Sequence, residues 1–266
     1  MEPFFQPDRL WPAGTRQLQL MIIPDLARNP ALAELTAAGR TIMRAHAATT
    51  QPVPDESLHL TVQPIHSPGH PPLGATTSAQ LIAALERELA TVPAFELLIG
   101  SPLVYHRGVV ADTHHRAGFN QLLDRARPVI ARICGPEAIA YDTRPAHMAL
   151  CYAGGHSSSD DLQRQLRHHL HPSHATLTVE QIHLVETWQV PDLCRFDSTI
   201  RRTFTLAPPA DTTGTTAGAE AAAAASAAAA EPGGVVMDVR GLTPPGRISD
   251  IGPAYPTTAP GGGTAC

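Results

Sequence analysis

Two histidines head similar short stretches of this chain: His59 in "SLHLTVQPI", Ser57 to Ile65, and His147 in "PAHMALCY", Pro145 to Tyr152. An imidazole, with an unperturbed pKa of about 6.5, gives or takes a proton close to neutral pH. Two of them facing one another can therefore work as an acid–base pair. In an extended strand residues i and i+2 share a face, so His59 points with Thr61 and Gln63, and His147 with Ala149. Leu58, Leu60 and Val62, like Met148 and Leu150, point the other way, toward a core. A single histidine on such a face is ordinarily a solvated polar residue. Its return at a matching place in a second strand is what makes the pair a candidate site.

The surrounding elements must bring the two strands together. "RQLQLMIIP", Arg16 to Pro24, alternates as a strand. "NPALAELTAAGRTIMRAHA" follows as a helix with Asn29 as N-cap, Pro30 at its first position, and Leu32, Leu35, Ile42 and Met43 as a buried stripe. After the His59 strand and a Pro/Gly loop, Ser78 caps a helix whose Leu81, Ile82, Leu85 and Leu89 share one face. From Ala94, "AFELLIGSPLVYHRGVVADT" reads as two strands joined near Gly100 and Ser101. A helix with Phe119, Leu122, Leu123, Ala126, Ile130 and Ile133 inward comes next, kinked at Pro128. The second half then repeats the first: a strand headed by His147, a helix with Ser158 to Asp161 as capping box and Leu162, Leu166 and Leu170 inward, then two more strands. The repeated order predicts an α+β fold, two pseudo-symmetric lobes of mainly antiparallel sheet with outer helices and a central cleft. His59 and His147 are expected to face each other across that cleft.

Residues 1–206 are ample for one bilobal domain. Residues 207–266 are an Ala/Gly/Pro-rich tail, nearly free of large apolar side chains and expected to be disordered. A net charge of -5 argues against indiscriminate binding to long nucleic acid, while leaving room for a local basic cleft. The scattered cysteines 134, 151, 194 and 266 fit free thiols in a reducing compartment. No apolar leader or membrane-length run is present, so a cytoplasmic protein, off the membrane, is the expectation.

Paired strands with a His-x-Thr/Ser signature in a two-lobed chain of this size resemble the 2H phosphoesterase superfamily, in particular its 2'-5' RNA ligase and RNA 2',3'-cyclic phosphodiesterase branch. The resemblance covers roughly residues 16 to 206, and "HLVETWQV" to "STIRRTFTLA" resembles that branch's closing strands. It implies a metal-independent enzyme without cofactor, a monomer, acting on RNA 2',3'-cyclic phosphate ends or 2'-5' linkages, its partners being RNA or oligonucleotide ends or a small cyclic-phosphate nucleotide. Opening such a phosphate takes a base that activates water and an acid that protonates the leaving ribose oxygen, in line across phosphorus. The resemblance makes His59 the acid and His147 the base, or the reverse, with the Thr61 hydroxyl bound to a phosphate oxygen.

The chain departs from the signature at Ala149, where the second hydroxyl is missing. Losing one such donor costs on the order of a hundredfold or more in rate. Three outcomes follow: a slow enzyme, an enzyme whose donor is replaced by Arg144, Tyr152 or water, or a non-catalytic RNA- or nucleotide-binding member of the same fold. Arg144 is also a candidate for clamping a phosphate bidentately. Tyr105 and Phe119 could stack a base but read more readily as core. His106 and Arg107 fall where a cleft rim is expected. In "RHHLHPSH" the histidines lie on different helix faces with no carboxylate or cysteine at ligand spacing, and His66 and His70 flank a Pro-Gly loop, so no metal site is read. No glycine-rich phosphate loop follows a strand.

Overall fold

The computed structural model describes residues 1–209. Apart from residues 207–209, the expected disordered tail lies outside the described residues. The chain runs β1 (Gln17–Ile22), α1 (Pro30–Arg44), β2 (Thr50–Pro52), β3 (Leu60–Ile65), α2 (Ala75–Leu89), β4 (Phe95–Tyr105), β5 (Gly108–His114), α3 (Ala117–Cys134), β6 (His147–Ala153), α4 (Asp160–His169), β7 (His174–Val179), β8 (Gln181–Val190) and β9 (Arg195–Thr205).

The strands form one sheet in the order β7-β4-β5-β6-β3-β1-β8-β9, with β2 also against β6, and every pair within it is antiparallel. The expected mainly antiparallel α+β fold is what the chain adopts. Its two lobes are halves of this single sheet, meeting where β3 touches β6 through the pair Leu60 and Met148. Outward from that seam the order repeats: a histidine strand, the strand joined to it through a helix (β1 by α1, β5 by α3), a long strand (β8, β4) and an outer strand (β9, β7). The lobes interleave in sequence, since the last two strands complete the first lobe.

The four α-helices among the described residues cover one face. α2 packs on α3 and β9, and α3 also reaches β3 and β4, while α1 and α4 pack over β4, β6 and β7. Leu60, Val62, Met148 and Leu150 are buried on that side, with Leu32, Leu81, Leu85, Phe119 and Leu162 from the helices. Phe119 is wholly buried there, which removes it as a base-stacking residue.

The helix starts differ in detail from the sequence expectation. Asn29 stands at the N-cap position but makes no cap bond; its Nδ2 donates to the Asp25 carbonyl, and its Oδ1 accepts from the Thr178 N–H of β7 at 3.0 Å. α2 begins after Gly74, so Ser78 lies in its first turn. The α4 cap is Ser159, while Ser158 Oγ accepts from the Asp160 N–H at 3.3 Å. β4 runs through Gly100, whose φ of +127° and register shift mark a bulge within one strand rather than a junction between two. Cys134 and Cys151 are free thiols, as expected.

Candidate active site

The seam between the lobes is where the two histidine strands meet. With Leu60 opposite Met148, continuing the antiparallel register puts Thr61 beside His147 and Ala149 beside His59. These four residues are half-buried, while Leu58, Leu60, Ala146, Met148 and Leu150 between them are buried. Their common face is the one opposite the helices.

Each imidazole is fixed by the same device. His59 Nδ1 lies 2.8 Å from the Ser57 carbonyl, and His147 Nδ1 lies 3.3 Å from the Pro145 carbonyl, two residues upstream in both cases. A carbonyl only accepts, so Nδ1 carries the hydrogen and Nε2 is the nitrogen left for chemistry. The match extends further. β1 pairs Leu20 with Gln63 and Met21 with Thr61, skipping Val62; β5 pairs Val109 with Cys151 and Val110 with Ala149, skipping Leu150. Both strands are bulged three residues after their histidine.

The bulges change which side chains share the cleft face. Gln63, expected beside Thr61, turns to the helix side, where Arg127 of α3 donates to its Oε1 at 2.7 Å. Arg127 also donates to the carbonyls of Tyr141 and Ile139, and Gln63 Nε2 donates to the Tyr141 carbonyl at 3.1 Å. Thr143 Oγ1 donates to the Val62 carbonyl at 2.6 Å. This buried network ties β3 to the segment entering β6, and so holds Thr61 and His147 in register.

His59 has a pKa held below the ordinary histidine value. Burial in the cleft is the main cause, the bond to Ser57 opposes it, and the charge of nearby His147 adds to it.

The structure adds residues that sequence reasoning missed. β5 sets Asp112 beside His147, and β8 sets His183 beside Met21. One row across the sheet therefore reads Thr203, His183, Met21, Thr61, His147, Asp112. His183 Nδ1 is 3.0 Å from Thr203 Oγ1, and burial lowers the His183 pKa. Tyr105 stands half-buried near Asp112, its pKa raised first by burial and then by that carboxylate. Tyr105 is already a base-stacking candidate in the sequence; Asp112, His183 and Thr203 are polar positions in alternating strands, and only cross-strand register could join them to the site.

Arg144, three residues before His147, rests on carboxylates. Its Nη2 is 2.6 Å from Asp142 Oδ2, its Nε lies on the same carboxylate, and its Nη1 is 3.3 Å from Asp124 of α3. The guanidinium fork is thus taken up by carboxylates. Tyr152 packs its ring against Phe4, Phe5 and Phe196. Burial pushes its phenol well above the ordinary value. His106, His168 and His169 are exposed, and His66 stacks on His70 with centroids 3.8 Å apart. Among the described residues no group of three or more His, Cys, Asp or Glu is set to hold a metal, and no helix is long and apolar enough to cross a membrane.

No family model and no curated protein matches the chain. Among solved structures, the protein TT0787 of Thermus thermophilus aligns at TM-score 0.54 and 19% identity, over 72% of this chain and 98% of that one. Apo LigT of E. coli aligns at TM-score 0.48 and 17% identity, over 73% of this chain and 98% of its own. The Thermus likeness shows a shared fold.

Proposed function

We propose that the chain is a 2H-type phosphoesterase that opens RNA 2',3'-cyclic phosphate ends or 2'-5' linkages by metal-independent, two-histidine catalysis. One observation carries this reading: two imidazoles on adjoining strands, each with Nδ1 tied to the carbonyl two residues back, beside the Thr61 hydroxyl. With both Nε2 atoms free, one histidine removes a proton from water while the other protonates the leaving ribose oxygen. Thr61 donates to a non-bridging oxygen as charge shifts onto it in the transition state.

The lowered pKa of His59 favours its neutral form, which suits the base. We therefore assign His59 to water activation and His147 to the leaving group, the second of the two orders the sequence left open. Arg144, with its fork on Asp142 and Asp124, is left out of the phosphate site.

Ala149 favours a second reading, an RNA or nucleotide binder without turnover. Hydrolysis of a nucleoside 2',3'-cyclic phosphate and of a short RNA ending in one, in EDTA, separates the two. Turnover by wild type, lost in both His59→Ala and His147→Ala, supports the enzyme. A silent wild type that still binds the RNA end leaves the binder.

A further inference from the structure

The segment ahead of β1 crosses from one lobe to the other. At the second lobe the Glu2 N–H donates to the His106 carbonyl at 2.6 Å and the Phe4 N–H to the Ala153 carbonyl at 2.8 Å, while Glu2 pairs with Arg107. At the first lobe Gln189 of β8 accepts from the Trp11 N–H at 2.7 Å and donates to the Arg9 carbonyl at 3.4 Å. Between these moorings Phe4 and Phe5 fill the space between Tyr152 of β6 and Phe196 of β9. Ring centroids are 4.6 Å apart for Phe4 and Tyr152, 5.3 Å for Phe5 and Phe196, and 5.7 Å for Tyr152 and Phe196. Phe5 is 3% exposed, so the segment is packed into the fold.

Both walls of this aromatic cluster belong to the cleft face. The bulge at Leu150 returns Tyr152, opposite Gly108, to the face of Ala149. Phe196 lies opposite Gln189, which shares a face with His183. The walls therefore join about three residues along β6 from Ala149, a depth of about 10 Å at roughly 3.3 Å per residue.

We propose that residues 2–11 are a fixed strap closing the cleft on the Tyr152 side, and that it confines the substrate to an RNA chain end. This rests on the phosphoesterase reading and decides between its two substrate classes. An internal linkage needs strand leaving the phosphorus in both directions, and the strap stops one of them. A terminal 2',3'-cyclic phosphate needs room there for its last nucleoside only, with the rest of the chain leaving by the open side.

The test compares two RNA oligomers, one ending in a 2',3'-cyclic phosphate and one carrying a single 2'-5' linkage flanked on both sides. Wild type is expected to prefer the end on the order of a hundredfold in kcat/KM, as exclusion of one substrate by shape allows. Phe4→Ala/Phe5→Ala, and separately Gln189→Ala should the first not fold, are expected to narrow that preference about tenfold while leaving the terminal rate near wild type. Limited proteolysis between residues 2 and 11 checks that the strap has been released. Equal cleavage of both RNAs by wild type, or an unchanged preference once the strap is loose, overturns the proposal. If wild type turns over neither RNA, the phosphoesterase reading falls by itself, and the strap is judged by binding: a circular RNA bound by wild type as tightly as the linear one overturns it, and weaker binding that Gln189→Ala restores upholds it.

Discussion

Restoring the hydroxyl that the second motif lacks is the sharpest perturbation the site offers. The pseudo-two-fold places Ala149 beside His59 as Thr61 stands beside His147, so on the proposed function Ala149→Thr sets a hydroxyl at the position symmetry-related to that of Thr61. The strand there is already extended, the position is half-buried and Val110 lies across from it on β5, so the β-branched threonine suits the backbone. A preorganised donor to a developing oxyanion is worth on the order of a hundredfold to a thousandfold. The half-buried position lets solvent screen the bond, and the expected gain in kcat falls below that range, at about tenfold to a hundredfold. Ala149→Val, of nearly the same shape, supplies no donor and should give no gain. The assay is cyclic-phosphate hydrolysis under single-turnover conditions, with Thr61→Val measured alongside and expected to lose on the order of a hundredfold. The reasoning is refuted if valine raises the rate as much as threonine, or if Ala149→Thr changes nothing while Thr61→Val abolishes activity.

Three further outcomes follow from the geometry. The His59 pKa lies below the unfolded value of about 6.5, so the unfolded chain binds the proton more readily and stability falls as pH drops from above that value through the folded one; denaturation midpoints should fall more steeply with acid in wild type than in His59→Ala. Arg144→Ala should leave kcat/KM within about threefold of wild type, since the guanidinium rests on Asp142 and Asp124; a loss on the order of a hundredfold would return it to the phosphate site. Thr143→Val removes the donor to the buried Val62 carbonyl and should cost about 1–3 kcal/mol in chemical denaturation, with kcat falling because β3 loosens against the entry to β6; unchanged stability would show that bond to be dispensable.

What the sequence disclosed was local, and what it withheld was cross-strand. Leu60, Val62, Met148 and Leu150 announce their burial by alternation, because a strand's period of two is written into its own residues. The positions of His59, Thr61, His147 and Ala149 on one face follow from the same rule. Gln63 breaks it: one skipped residue at Val62 sends that side chain to Arg127, and nothing in "LTVQPI" marks the skip. The twin skip at Leu150 carries Tyr152 back to the cleft face, which is why a tyrosine read as a spare donor turns out to be a wall. Bulges are set by the partner strand as much as by the strand that contains them. Asp112 and His183 were illegible for the same reason, each joining the site only through neighbours far away in sequence.

The pseudo-symmetry itself sets a problem that these hidden residues help to resolve. A two-fold scaffold presents two equivalent imidazoles, yet in-line opening of a cyclic phosphate needs one base and one acid. The duplicated features, the Nδ1 bond to the carbonyl two residues back and the bulge three residues on, orient both rings alike and cannot tell them apart. The difference has to come from what surrounds them. His59 lies beside Ala149, and burial lowers its pKa; His147 lies between Thr61 and Asp112 in the cross-strand row. On this view the missing hydroxyl at position 149 is part of the asymmetry that separates base from acid. Ala149→Thr then tests two effects at once, and they separate by pH: an added oxyanion donor raises kcat across the profile, whereas a hydroxyl that chiefly solvates His59 displaces the acid limb of kcat/KM and leaves the plateau where it was.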